Sequence, residues 1–282
     1  MILAIASGKG GTGKTTVSVN LARAFDSEIQ LLDCDVEEPN DHLFLKGAPT
    51  GREIIGIPVP EVDEALCDGC GECGRFCEYH AIVSFGTTPL VFPEMCHGCG
   101  GCTMVCPVKA IRETAKPIGA VETRRAGNVT LVQGRLDIGA AMAPPLIHAV
   151  KARLRRDLPA ILDAPPGTSC PVIATLRGAD FVLLVTEPTP FGLHDLTLAV
   201  EMVRALGIPF GVVVNRVGLG DDRVHRYCGQ RHIPILLEIP DDRRIAEACS
   251  RGGLIVEALP EYRGLFRNLV GKTMFRTNPK EA

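Results

Sequence analysis

The sequence lacks three features that would place it at once in a common class of proteins. Its 30 Lys and Arg nearly balance 33 Asp and Glu, so the formal net charge is only −3 and supplies no case for a DNA-binding domain. No apolar run approaches the roughly 18 residues of a membrane span. The apolar start, Met1 to Ala6, carries no basic leader of the secretory kind. We therefore expect a cytoplasmic protein, with no strong evidence for a nucleic-acid or membrane partner.

Cysteine, by contrast, is abundant, with twelve residues in the chain. Eight of them form two quartets, CDGCGECGRFC and CHGCGGCTMVC, each with the spacing C-x2-C-x2-C-x3-C. Cys67 of the first quartet aligns with Cys96 of the second, 29 residues later, which indicates an internal duplication. In a reducing compartment such clustered cysteines are expected to bind metal rather than to form disulfides.

The spacing within each quartet favours iron–sulfur clusters. Three close cysteines surround a cluster and the fourth ligand comes from the other half of the duplication. Structural zinc is the alternative, but zinc sites usually join two CxxC pairs across a longer gap. The prediction is two [4Fe–4S] clusters, the first held by Cys67, Cys70, Cys73 and Cys106 and the second by Cys96, Cys99, Cys102 and Cys77. This part of the chain resembles a bacterial two-cluster ferredoxin.

One residue departs from the ferredoxin pattern. Pro107 follows the second quartet, whereas Glu78 follows the first. Proline at this position fixes the backbone after the cysteine that crosses to the other cluster. We therefore expect the cluster that uses Cys77 to be held less rigidly and lost more readily.

A second motif lies at the start of the chain. Residues 8–15, GKGGTGKT, match the phosphate-binding pattern G-x4-G-K-[ST], between a predicted strand at Ile2–Ser7 and a predicted helix at Thr15–Phe25. Backbone N–H groups of such a loop surround phosphate oxygens, Lys14 reaches the β- and γ-phosphates, and the Thr15 hydroxyl ligates Mg²⁺. The residues predicted to contact ATP are Gly8, Gly10, Gly11, Thr12, Gly13, Lys14, Thr15 and Thr16.

An additional lysine, Lys9, makes SGKGGTGKTT similar to the deviant phosphate loop of the MinD/ParA/nitrogenase iron-protein group. The resemblance implies that Lys9 crosses to a partner's phosphates in an ATP-dependent dimer, formed with a second copy or with a paralogue. It further implies that Asp35 orients the attacking water and that Asp163 holds Mg²⁺ through water. Gly167 would approach the γ-phosphate, and Asn215 would read the adenine edge. Lys9, Lys14 and Asp35 are thus the candidate catalytic residues.

The rest of the sequence indicates an α/β fold. Buried apolar runs at 29–33, 160–162, 181–186 and 210–215 alternate with helical periodicity such as that of residues 193–206. This alternation predicts a mostly parallel sheet covered by helices on both faces. We expect a P-loop ATPase domain formed by residues 1–60 and 117–282, with a small ferredoxin-like α+β domain inserted at residues 61–116.

The whole chain thus resembles MinD-superfamily ATPases that carry an inserted ferredoxin domain, and three functions follow as hypotheses. The first is an ATPase, slow on its own, that gates electron transfer to a redox or metal-cofactor protein. The second is a scaffold or carrier that uses ATP to hand over iron–sulfur clusters. The third is a MinD-like positioning ATPase whose clusters sense redox state. Ligation by eight cysteines of one chain favours the first.

Overall fold

The computed structural model describes residues 1–140 and 142–277. Its strands are β1 (Ile2–Ala6), β2 (Ile29–Asp33), β3 (Ala48–Val62), β4 (Ile82–Phe85), β5 (Thr88–Val91), β6 (Ile111–Ala126), β7 (Val129–Leu136), β8 (Ala160–Asp163), β9 (Phe181–Thr186), β10 (Phe210–Val217) and β11 (Ile235–Pro240). Its α-helices are α1 (Lys14–Ala24), α2 (Asp41–Phe44), α3 (Glu72–Phe76), α4 (Gly101–Val105), α5 (Pro144–Lys151), α6 (Cys170–Leu176), α7 (Pro190–Ala205), α8 (Arg223–Gln230), α9 (Arg243–Ser250), α10 (Ile255–Ala258) and α11 (Arg263–Thr277).

One sheet organises most of the chain, in the strand order β11-β10-β9-β1-β8-β2-β7-β6-β3. The pairs of β1 with β8 and β9, of β2 with β7 and β8, and of β10 with β9 and β11 are all parallel. Strands β2 and β9 are buried at every position, as expected for strands with helices on both faces. The predicted α/β fold with a mostly parallel sheet is therefore confirmed.

The predicted elements are found with small changes at their ends. The strands at 29–33 and 181–186 have the predicted bounds, and the helix predicted at Thr15–Phe25 is α1, one residue earlier. Helix α7 begins three residues before the predicted Leu193, because Thr189 caps it by accepting a hydrogen bond from the N–H of Gly192 and proline occupies its first position. None of the helices within residues 1–140 and 142–277 combines the length and apolar character needed to cross a bilayer.

The chain divides into two compact units. The phosphate-loop unit comprises the described residues of 1–52, 121–135 and 147–282, and the cysteine unit comprises those of 53–120 and 136–146. The cysteine unit includes the predicted insert at 61–116 and also parts of β3 and β6, which are 15 and 16 residues long. Both strands pass through prolines, where the sequence pattern predicts an interruption.

Within the cysteine unit the backbone repeats itself. Helices α3 and α4 are each five residues long and begin 29 residues apart. The left-handed backbone positions recur at the same offset, as the pairs Gly69 and Gly98, Gly71 and Gly100, and His80 and Lys109. Each helix is thus preceded by a glycine that adopts a conformation costly for other residues. The duplication seen in the sequence is also a duplication of local structure.

Candidate functional site

The phosphate loop joins the end of β1 to the start of α1. Gly11 and Gly13 have φ angles of +78° and +93°, in the region that favours glycine, and Gly13 directly precedes α1 as its N-cap residue. A Cβ atom on Gly13 would also collide with the side-chain amide of Asn215. Glycine is therefore required at this position both for the turn and for the close approach of β10. The loop presents the N-terminus of α1, a site suited to anions.

Lys14 and Thr15, in the first turn of α1, face two acidic residues from other strands. Lys14 is buried, which lowers its pKa, while the charges of Asp163 and Asp35 act in the opposite direction. The Thr15 hydroxyl donates a hydrogen bond of 3.0 Å to Oδ2 of Asp163 at the end of β8. A hydroxyl and a carboxylate meeting beside a phosphate loop form a donor set that suits Mg²⁺.

Two buried oxygens at this point have no hydrogen-bond partner among the described residues, Thr12 Oγ1 and Asp163 Oδ1. Buried polar atoms are normally paired, and an unpaired one costs stability unless a ligand or water reaches it. Thr12 lies in the loop predicted to bind nucleotide, and Asp163 is hydrogen-bonded to Thr15 directly after that loop. The residues present therefore fit a magnesium-bound nucleotide.

Three further aspartates lie at or just after the end of β2. Asp33, fully buried, accepts hydrogen bonds from the N–H groups of Asp35 at 3.1 Å, Asn40 at 3.0 Å and Asp41 at 3.2 Å. Its carboxylate thereby fixes the loop that carries Asp35. Asp35 is half-buried, and burial raises its pKa to about 6 against the opposing charge of Lys14. A carboxylate of this kind holds its proton more readily than a solvated aspartate.

Asp41 is a residue that the sequence analysis did not single out. It is fully buried, and neither carboxyl oxygen has a hydrogen-bond donor among the described residues. Burial and the neighbouring charges of Asp33 and Asp163 raise its pKa well above the usual value. The Asp41 carboxyl, which lies beside Asp163, therefore holds its proton more readily than a solvated aspartate does. Nothing in its sequence context distinguishes it from other acidic loop residues.

Lys9 lies at the same edge of the sheet, with its ammonium group 2.6 Å from Oε1 of Glu187. Glu187 follows β9, and its second oxygen is 3.2 Å from Nη1 of Arg216 in β10. Glu187 is only 8% exposed, so its charge is compensated mainly by these two cations. The sequence analysis identified Lys9 but neither of its two partners, since they belong to strands far away in the chain.

The two remaining predicted residues also lie against the loop. Asn215 donates a hydrogen bond of 2.9 Å from Nδ2 to the carbonyl of Thr12. Gly167 donates its backbone N–H to the carbonyl of Ser7 at 3.0 Å and has a φ of +93°. The structure thus brings every residue predicted for the nucleotide site to the carboxyl edge of the parallel strands, where ligands bind in open α/β sheets. The other predicted members, Gly8, Gly10 and Thr16, lie on the same loop and first helical turn.

Two cavities of the cysteine unit are each lined by one of the two predicted groups of four cysteines. The first cavity is lined by Cys67, Cys70, Cys73 and Cys106. The second cavity is lined by Cys77, Cys96, Cys99 and Cys102. In each case three cysteines come from one quartet and the fourth from the other. The cysteines that line each cavity are thus the four that the spacing assigns to one cluster, and the cluster assignment itself stays a prediction.

The surroundings of these cysteines bear on what the two cavities would hold. The N–H of Gly98 donates to Cys96 Sγ at 3.4 Å, and that of Ala110 donates to Cys106 Sγ at 3.2 Å. Donation of this kind stabilises thiolate sulfur. Within residues 1–140 and 142–277 no three His, Cys, Asp or Glu side chains are placed to share a single metal ion. In a [4Fe–4S] cluster each thiolate binds a different iron, and the crossed groups of four fit that donor set.

Two aromatic side chains of the second cavity have no aromatic counterpart at the equivalent positions of the sequence duplication. The rings of Tyr79 and His97 are stacked, with centroids 3.5 Å apart and planes 9° from parallel. The equivalent positions in the other half of the duplication are Val108 and Asp68. Tyr79 follows Cys77 by two residues and His97 follows Cys96 directly, so the pair links the two halves where Glu78 replaces proline.

Comparison with known proteins gives one consistent result. A model of the CbiA family, described as the CobQ/CobB/MinD/ParA nucleotide binding domain, matches residues 3–255. An uncharacterized protein of Methanocaldococcus jannaschii is 32% identical over 263 residues, covering 89% of this chain and 90% of that protein. An iron-sulfur cluster carrier protein of Pyrococcus abyssi is 24% identical over 272 residues, and the match covers 90% of this chain and 78% of that protein.

Among solved structures, the septum site-determining protein MinD of Pyrococcus horikoshii, complexed with Mg-ADP, superposes with a TM-score of 0.58 at 22% identity. The match covers 96% of this chain and 95% of that one. At this identity the likeness establishes the fold alone. The family match and the relative from Methanocaldococcus jannaschii show that the chain belongs to the CobQ/CobB/MinD/ParA family of nucleotide-binding domains.

Proposed function

We propose that this protein is an ATP-hydrolysing switch whose nucleotide state is coupled to two [4Fe–4S] clusters and gates electron transfer to a redox or metal-cofactor protein. The observation that carries the proposal is the lining of two separate cavities by complete, crossed groups of four cysteines in a chain that also has a phosphate loop. In this proposal the phosphate-loop unit is the ATPase domain and the cysteine unit is the ferredoxin-like domain.

In the nucleotide site, the loop N–H groups and Lys14 would bind the phosphates of ATP. Thr15 would ligate Mg²⁺ directly and Asp163 would do so through water, which accounts for the unpaired Oδ1 of Asp163. Asp35 would orient the attacking water, and the raised pKa of its carboxyl suits a group that also accepts a proton. Gly167 would approach the γ-phosphate, and Asn215 would contact the adenine.

Lys9 would act in a dimer. When two subunits enclose ATP, the ammonium group would reach the partner's phosphates and stabilise the negative charge that develops during phosphoryl transfer, as an arginine finger does. A single subunit would then hydrolyse ATP slowly, because it lacks this charge. The dimer would be formed by two copies of this chain or by this chain and a paralogue.

In the cysteine unit, Cys67, Cys70, Cys73 and Cys106 would hold one cluster and Cys77, Cys96, Cys99 and Cys102 the other. Such clusters, when bound, accept and donate single electrons at a potential that hydrogen bonds to sulfur adjust. All eight thiolates come from one chain, which supports a resident redox group. Cys73 and Cys106 are buried in a small apolar cluster with Ile82, Ala110 and Ile111, which would exclude water from one side.

Two observations favour delivery of clusters as the second candidate function. One relative is named an iron-sulfur cluster carrier protein. In addition, Cys70 and Cys99, one in each group of four, are exposed, so an acceptor would have access to one ligand of each cluster. The third hypothesis, a positioning ATPase, is supported by the MinD fold alone.

A transfer experiment separates the first two functions. The protein is reconstituted with iron and sulfide under anaerobic conditions, mixed with a cluster-free [4Fe–4S] apoprotein and given Mg·ATP or Mg·ADP. We expect the iron to remain with this chain in both nucleotide states, measured by iron analysis after separating the two proteins. ATP-dependent movement of iron to the acceptor would instead establish the carrier function.

A further inference from the structure

Lys9 is held by its own chain. Its ammonium group lies 2.6 Å from Oε1 of Glu187, and Arg216 lies 3.2 Å from the other oxygen of the same carboxylate. The side chain of Glu187 is 10% exposed, whereas those of Lys9 and Arg216 are 30% and 49% exposed. A nearly buried carboxylate is thus placed between two cations that each retain access to solvent.

The backbone on either side of this contact is fixed. Thr186, at the end of β9, donates its hydroxyl to the carbonyl of Gly192, and the N–H of Gly192 donates to the hydroxyl of Thr189. These bonds secure the turn that carries Glu187. On the other side the Ser7 hydroxyl donates to the carbonyl of Lys9. The ion pair therefore joins two anchored segments.

Arg216 reaches Glu187 from an unusual backbone conformation. Its φ is +56°, in the left-handed region that non-glycine residues seldom adopt, and its N–H donates to Oδ1 of Asn215 at 3.0 Å. Asn215 in turn donates to the carbonyl of Thr12 in the phosphate loop. The second cation of Glu187 is thus held in place by the same residues that contact the loop.

The two cations have different consequences for Glu187. A buried carboxylate left without a partner is strongly destabilising, so the departure of Lys9 alone would be costly. Because Arg216 contacts the second oxygen, Glu187 keeps one cation when Lys9 leaves. A triphosphate carries more negative charge than a diphosphate and competes better with Glu187 for the ammonium group.

We propose that Glu187 is a positioning residue that holds Lys9 against its own subunit until ATP in a second subunit displaces it, and that Arg216 stabilises Glu187 after the displacement. The inference rests on the proposed function, since it requires that Lys9 act across a dimer. Formation of that dimer is then set by competition between the carboxylate of Glu187 and the γ-phosphate of ATP for one ammonium group.

The test measures ATP-dependent dimer formation by analytical ultracentrifugation for three proteins. Glu187→Gln removes the charge and keeps the shape, so its dimer should form at about fivefold lower protein concentration than that of the wild type, the upper end for the loss of one ion pair with a partly exposed lysine. Arg216→Met should have the opposite effect, because Glu187 then depends on Lys9 alone. Each variant is also tested for ATP binding as a monomer, which should match the wild type.

A double substitution distinguishes positioning from a structural role. With Lys9→Ala in the background, Glu187→Gln should have no further effect on the dimer, since there is no ammonium group left to release. Equal weakening of the dimer by Glu187→Gln and Arg216→Met, or an effect of Glu187→Gln that persists without Lys9, would overturn the inference. If the wild type forms an ATP-dependent dimer and Glu187→Gln leaves it unchanged, the role of Glu187 is refuted while the proposed role of Lys9 stands. If the wild type forms no such dimer, the proposed role of Lys9 fails with it.

Discussion

Replacing Lys9 with alanine should lower the rate of ATP hydrolysis by about a thousandfold, the lower end of what a positive charge supplied in trans contributes to phosphoryl transfer. ATP binding to the single subunit should change little, because Lys9 contacts Glu187 there and Lys14 faces the phosphate site. Steady-state phosphate release and binding of a fluorescent ATP analogue measure the two quantities.

Two controls make this result specific. Lys14→Ala should lose ATP binding as well as hydrolysis, because the lysine that faces the phosphates is then missing. Lys46→Ala removes an exposed lysine of the same unit and should leave both quantities unchanged. Wild-type hydrolysis in the Lys9→Ala protein would refute a charge supplied across a dimer. A parallel loss of binding would place Lys9 in its own subunit's site instead.

The second large effect concerns iron content. Cys99→Ala should leave about four irons per chain instead of about eight, because one cluster loses a ligand and the other keeps all four. Cys70→Ala should give the same count through loss of the other cluster. Both cysteines are exposed, so neither substitution removes a packed core side chain. Iron and sulfide analysis with EPR spectroscopy of the reduced proteins measures the loss and shows which signal disappears.

The matched control is Cys170→Ala, which removes an exposed cysteine that lines neither cavity and should keep about eight irons. The two ligand variants should differ in how they retain the remaining iron. The surviving cluster of Cys70→Ala is the one that uses Cys77, and a chelator should remove it first, because Glu78 stands where the other half has proline. Zinc in place of iron in the wild type would contradict the ligand assignment.

The parts of this account that the sequence predicted are those encoded within a few residues. The phosphate loop, the strands at 29–33 and 181–186 and the two cysteine quartets are local patterns, and each lies where it was expected. The resemblance to the MinD/ParA group assigned Thr15 and Asp163 to one Mg²⁺ site, and the two side chains are hydrogen-bonded to each other. A family resemblance supplied the order of these motifs along the chain.

The contacts that the sequence did not predict depend on residues far apart in the chain. Glu187 and Arg216 become partners of Lys9 only through the order of β1, β9 and β10 in the sheet. The sequence around Asp41 does not distinguish it from an exposed acidic residue in a loop. Its burial arises from packing. The sequence did not predict the length of β3, because prolines within it indicate a strand end. Strand β3 lies at the edge of the sheet, where proline is tolerated.

The coupling of nucleotide to clusters is tested most directly by redox titration of the reconstituted protein, followed by EPR, in Mg·ATP and in Mg·ADP. Asp35→Ala keeps the ATP state from being hydrolysed during the titration. A coupling of about 1 kcal/mol, at the low end for linked sites, corresponds to a shift of about 40 mV for one electron. The account predicts that at least one midpoint potential differs by this amount or more between the two nucleotides. Identical potentials in ATP and ADP would contradict it.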